Sequence, residues 1–137
     1  VVLAILRRDL TVELSDTSSK RIAALRSILD EIKLSLTIHH QPAQQIAHDM
    51  NSQGHPFDTL IIRAVAPLPK LLAWFEPISS VYGRLLLIKG PRWEAETRDS
   101  RHRGFLKQVT ARRIADWPIP GKDTQSVLLE IKKRHNA

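Results

Sequence analysis

"FDTLIIRAVAPLPKLL", residues 57–72, decides the fold. Thr59 to Ile62 is an apolar, β-prone run that ends on Arg63. Pro67 and Pro69 prevent a strand from continuing, because proline brings no N–H to a ladder. Residues 68–79, "LPKLLAWFEPIS", then read as a helix. Directly after it comes "GRLLLIKG", residues 83–90, whose unbroken apolar run predicts a strand buried on both faces. Strand, helix and strand in that order are a βαβ unit, with a right-handed crossover and parallel strands.

The same alternation extends outward. Val1, Leu3, Ala4 and Ile5 belong to an amphipathic opening helix, and "TVELSD", Thr11 to Asp16, reads as a short strand with Val12 and Leu14 on one face. Ser18 or Ser19 can cap a helix in which Ile22, Leu25, Ile28, Leu29 and Ile32 recur at helical spacing. "LSLTIHH", Leu34 to His40, is the next strand. A helix over Pro42 to Met50 places proline in the first turn, where a missing N–H costs nothing. "NSQGHP", Asn51 to Pro56, is a loop by composition. After a charged, helix-like stretch over residues 92–104, "FLKQVTARRIADWPIPG" and "TQSVLLEIKKR" read as an antiparallel terminal pair. The expected fold class is α/β: one domain spanning residues 1–137, with a mostly parallel sheet, helices on both faces and an antiparallel C-terminal strand pair.

Composition narrows the chemistry. With 137 residues, 42% of them hydrophobic, the chain can bury one core. It contains no cysteine, which removes disulfides, cysteine-ligated zinc and any thiolate nucleophile. The apolar run Val1 to Leu6 is short and followed by Arg7 and Arg8, unlike a signal peptide or membrane span, so a cytoplasmic protein without membrane partners is expected. Six histidines are present, but His39 and His40 are adjacent on a strand and point to opposite faces, so no metal site is expected. Net charge is +7, with all the excess C-terminal: residues 84–137 hold thirteen Lys/Arg against six Asp/Glu, residues 1–83 eight against eight. Such an excess favours a polyanionic partner, nucleic acid most simply, or else a solvated face kept for solubility.

In open α/β sheets ligands sit beyond the carboxyl ends of strands. Three polar residues fall at such ends: Asp16, Arg63 and Lys89. An acid there can accept hydrogen bonds from ribose hydroxyls, or serve as an ordinary charge partner of a helix N-terminus. Arg63 has two readings as well, a cleft cation or the partner of Asp16 or Asp58, and Lys89 is either a ligand contact or a lysine in solvent.

The runs "ELSDTSSKRIAALRSILDEI", "FDTLIIRAVAPLPKLL" and "GRLLLIKGP" together resemble the glucose-inhibited division protein B family, bacterial S-adenosylmethionine-dependent methyltransferases of small-subunit ribosomal RNA. The acid-Ser/Thr-x-x-Lys-Arg run at Asp16 to Arg21, the Arg63-Ala64 pair and Leu87 to Gly90 are its most specific parts. The resemblance implies a Rossmann-like class I methyltransferase sandwich that makes 7-methylguanosine in the decoding-region RNA. It implies cofactor contacts at Asp16, Ala43, Gln44 and Arg63, with Gln44 standing where the family more often shows an acid. It makes Lys89 a candidate for the guanine or its phosphate. The family's glycine-rich loop and the strand before it are absent from these residues, so upstream sequence is expected. Without that strand, the Asp16 and Arg63 strands would each lose a hydrogen-bonding neighbour.

Guanine N7 carries a lone pair and no proton, so attack on a sulfonium methyl requires no general base, and alignment and desolvation supply the acceleration. The lack of a catalytic constellation fits this reaction. It fits pyrimidine C5 methylation worse, which calls for a cysteine, and amino methylation worse, which usually carries an Asn/Asp-Pro-Pro-aromatic loop where "RAVAPLP" stands. For RNA, the segment from Arg92 to Arg113 is expected to bind through Arg92, Arg98, Arg101 and Arg103, with Trp93 and Trp117 as stacking candidates. Two other readings compete: a non-catalytic RNA-binding or scaffold remnant, and a methyltransferase-like domain acting on a small molecule.

Overall fold

The computed structural model describes residues 1–63 and 66–135. Elements run in the order α1 (Val2–Leu6), β1 (Glu13–Ser15), α2 (Ser19–Glu31), β2 (Thr37–His39), α3 (Ala43–Ser52), β3 (Phe57–Arg63), α4 (Leu68–Phe75), β4 (Tyr82–Lys89), α5 (Trp93–His102), β5 (Val109–Pro118) and β6 (Gln125–Lys133). This is the alternation that the sequence predicts. The chain divides into two compact units, Val1–Ile46 and Ala47–Ala137, where a single domain is the expectation.

In the first unit, β1 and β2 pair in parallel, with Glu13 opposite Thr37 and Ser15 opposite His39. Both strands are shorter than predicted. Helix α2 starts at Ser18, whose hydroxyl accepts from the Arg21 amide at 3.3 Å. Ile22 and Leu29, two turns apart, are its buried residues, whereas Ile28 and Ile32 are exposed. The helix ends with Lys33 at φ 56°, and the Lys33 and Leu34 amides return to Asp30 and Leu29 carbonyls at 3.2 and 2.9 Å. That pair of bonds is a Schellman cap with lysine in the left-handed position.

In the second unit the strand order is β3-β4-β6-β5. β3 and β4 are parallel, while β4–β6 and β5–β6 are antiparallel, which is the expected terminal pair. Helix α4 stops at Phe75 rather than Ser79, because Pro77 has no N–H for the next turn and its ring opposes the carbonyl four residues back. Leu68, Leu72 and Phe75 of α4 are buried to 2% exposure or less, as are Leu85, Leu87, Leu129 and Ile131 of the sheet. Register places Leu85 opposite Ile131, Leu87 opposite Leu129 and Lys89 opposite Val127, so these residues share one sheet face. β4 departs from expectation: Leu85, Leu87 and Lys89 are buried, but Arg84, Leu86 and Ile88 on its other face are half-buried. The apolar run thus reports one core face and one open face.

β1 lies at an edge of its two-stranded sheet, and β3 at an edge of the four-stranded one. At β4, Gly83 is held against the Asp58 backbone so closely that a Cβ there would overlap the Asp58 carbonyl.

Candidate functional site

In the first unit, the carboxyl ends of β1 and β2 lie side by side, with the Asp16 amide donating to the His39 carbonyl at 3.1 Å. The two loops that follow are tied together: Ser15 Oγ donates to the Gln41 carbonyl, and His40 Nε2 lies 3.0 Å from the Thr17 carbonyl. Ala43 and Gln44, both half-buried, open α3 directly after the second loop.

Asp16 is the charged centre of this end. Arg21 Nε donates to both its oxygens, at 3.1 and 2.8 Å, and the Ser18 amide donates at 2.8 Å. The Arg21 guanidinium, then the Ser18 N–H, hold its carboxyl below the usual carboxylate range. Asp16 is therefore the helix partner that one reading of the sequence anticipates. Its two oxygens still leave lone pairs for further donors, and a ribose presents two hydroxyls. An ionised acceptor thus stands at the carboxyl end of β1, where it can take further hydroxyl donors.

In the second unit, Arg63 ends β3 and is exposed, and its side chain has no hydrogen bond or ion pair to another described residue. Asp58, in the same unit, is not its partner. Its neighbour Ala64, in the quoted Arg-Ala pair, lies outside the described residues.

Lys89 is 7% exposed, on the core face of β4, not in solvent. Its Nζ lies 2.6 Å from Glu96 Oε2 and donates to the Ala66 carbonyl at 3.0 Å. The same Glu96 oxygen accepts from the Leu68 amide at 3.0 Å, at the start of α4. A buried lysine, a carboxylate of α5 and two backbone groups thus fasten the chain that enters α4. Sequence alone does not reveal this, because Glu96 carries no local mark of burial.

The arginines expected to bind RNA are all exposed: Arg92 precedes α5, Arg98 and Arg101 lie on it, and Arg103 follows it. Trp93 is half-buried with the Arg113 guanidinium 5.8 Å from its ring centre, and Trp117 is 38% exposed on β5. Among the described residues no group of three or more His, Asp or Glu is placed to hold a metal ion, and no helix is long and apolar enough to cross a membrane.

Comparison with known proteins adds the family. The family model described as rRNA small subunit methyltransferase G matches residues 1–120. A ribosomal RNA small subunit methyltransferase G from Rhodopirellula baltica is 35% identical over 119 residues, covering 87% of this chain and 49% of the relative. One from Beutenbergia cavernae is 40% identical over 97 residues, covering 70% of the chain and 43% of the relative. The chain spans about half the length of these relatives. Among solved structures, an rRNA methylase from Streptococcus thermophilus superposes with a TM-score of 0.56 at 15% identity, over 88% of this chain and 72% of that one. The bifunctional kinase-methyltransferase WbdD superposes with a TM-score of 0.63 at 12% identity, over 96% of this chain and 32% of that one. Those two likenesses establish a methyltransferase-type α/β fold.

Proposed function

Because the chain belongs to the rRNA small subunit methyltransferase G family, we propose that its residues serve S-adenosylmethionine-dependent methylation of guanine N7 in small-subunit ribosomal RNA. The family match over residues 1–120 is the observation that carries this reading. The two units are read as parts of one methyltransferase domain.

When bound, the cofactor supplies a methyl group on a positively charged sulfur. Guanine N7 meets it with a lone pair and gives up no proton, so no side chain is required as a base. Asp16, kept ionised by Arg21, is assigned the ribose hydroxyls; Ala43 and Gln44 are assigned the adenine. Arg63 is assigned the cofactor and substrate cleft, where a cation whose side chain has no partner among the described residues remains available to an anionic group. Lys89 acts from the interior through Ala66 and Glu96, as a positioning residue. Arg92, Arg98, Arg101 and Arg103 are assigned the RNA, which suits their exposure and the C-terminal charge excess.

Calorimetric titration of S-adenosylmethionine into this chain tests the cofactor assignment, and Asp16→Ala is expected to weaken binding about tenfold. Methyl transfer to small-subunit ribosomal RNA, followed by aniline cleavage at 7-methylguanosine, tests the reaction. If the chain binds RNA but no cofactor, the non-catalytic RNA-binding reading replaces this one.

A further inference from the structure

Between α4 and α5 the second unit opens a cleft of about 520 Å³. That volume lies within the range of small-molecule sites and accommodates a nucleotide. Pro67, Pro69 and Ala73 give it an apolar wall, and Phe105, half-buried, faces them from beyond α5.

Its charges are arranged in a particular way. Both cations on the cleft stand over aromatic rings: Lys70 Nζ is 5.4 Å from the centre of Trp74, itself 43% exposed, and the Arg103 guanidinium is 5.3 Å from Phe105. Both carboxylates on it are matched, Glu96 by Lys89 at 2.6 Å and Asp99 by Arg103 at 3.6 Å. Lys70 has no carboxylate partner among the described residues, so the cleft, whose two carboxylates are both paired, carries one uncompensated positive charge beside its apolar wall. An apolar wall, a guanidinium backed by a ring and an ammonium without a carboxylate partner among the described residues match an unpaired nucleotide: a flat base that packs on the wall and the guanidinium, and one phosphate.

We propose that this cleft is a subsite for one unpaired nucleotide of the RNA substrate, its base against Arg103 and Phe105 and its phosphate at Lys70. The proposal rests on the RNA methyltransferase reading and adds to it a place where RNA is held by stacking as well as by charge.

Fluorescence anisotropy with a labelled single-stranded RNA nonamer carrying one central guanine tests it. Phe105→Leu keeps apolar bulk and removes the ring, and is expected to weaken binding about tenfold without changing the salt dependence. Lys70→Gln is expected to reduce the slope of log K against log salt by about 0.7. Ala73→Met fills the cleft from an exposed helical position with a good helix former and no change of charge, and is expected to weaken binding about tenfold. Thermal unfolding by circular dichroism checks that each variant folds. If the wild-type chain binds the nonamer and all three variants bind as well as it does, the cleft assignment is overturned and the RNA reading stands. If the wild-type chain binds S-adenosylmethionine but not the nonamer, the RNA reading fails and the cleft assignment with it.

Discussion

Gly83 carries little information in sequence and much in structure. It faces Asp58 across the β3–β4 pairing, where register places Phe57 opposite Tyr82 and Thr59 opposite Arg84. Any side chain there overlaps the Asp58 backbone, which cannot move without breaking the parallel ladder. Gly83→Ala is expected to destabilise the chain by about 1 to 3 kcal/mol in urea unfolding, the range of overpacking in a rigid site. An unchanged midpoint would mean that the strands separate freely at that point. The residues the sequence singled out divide differently. Arg63 was legible at a strand end because a hydrophobic run and its first polar residue are both local signals, and Asp16 because the Ser cap of the next helix follows it closely. Lys89 was legible as a strand-end cation but not as a buried one, since its burial depends on a face set by pairing with β6 and on an acid in the next helix. Partners distant in sequence leave no periodicity to read.

At the scale of elements, α2 ends on a backbone geometry that its sequence does not favour. Lys33 at φ 56° has a Cβ in a conformation that costs roughly 1 kcal/mol for an L-residue and nothing for glycine. Both Schellman bonds are already in place, so Lys33→Gly is expected to raise the melting temperature by a few degrees. A drop would mean that the lysine side chain contributes something the cap geometry does not require. The sheet of the second unit holds a polar ladder across all four strands. Arg84 donates to Thr59 at 3.1 Å and to Glu130 at 2.9 Å, and Arg112 donates to Glu130 at 3.2 Å. Sequence alone does not single out Glu130, because its two arginines come from different strands. Arg84 first, with Lys132 and Arg112, holds its carboxyl below the usual range. Because the folded pKa lies below the unfolded value of about 4.3, the stabilisation is fully present above that pH and lost as pH falls through the folded value. Thermal melts between pH 7 and pH 3 are expected to show this decline, and Glu130→Gln to lower stability at neutral pH and flatten the decline.

For the whole molecule, the α/β class was legible because each crossover in the chain carries its own switch from strand to helix period, and such local switches survive without knowledge of tertiary contacts. Division into two units was not, because composition and loop lengths give no boundary near Ile46, and α3 runs through it. Charge asymmetry is also a property of the whole chain, and it makes a prediction independent of any one contact. Thirteen basic residues against six acids after Gly83 should make RNA binding fall steeply with salt, since each phosphate neutralised releases condensed counterions. Arg98 and Arg101 sit on α5, exposed and without a carboxylate partner among the described residues. Replacing both by alanine is expected to lower the slope of log K against log salt by about 1.4 on single-stranded RNA, two phosphates at roughly 0.7 each. Circular dichroism should be unchanged, because neither side chain supports the fold. A slope equal to wild type in the double variant would move the RNA off this helix and leave the charge excess as a solvated face.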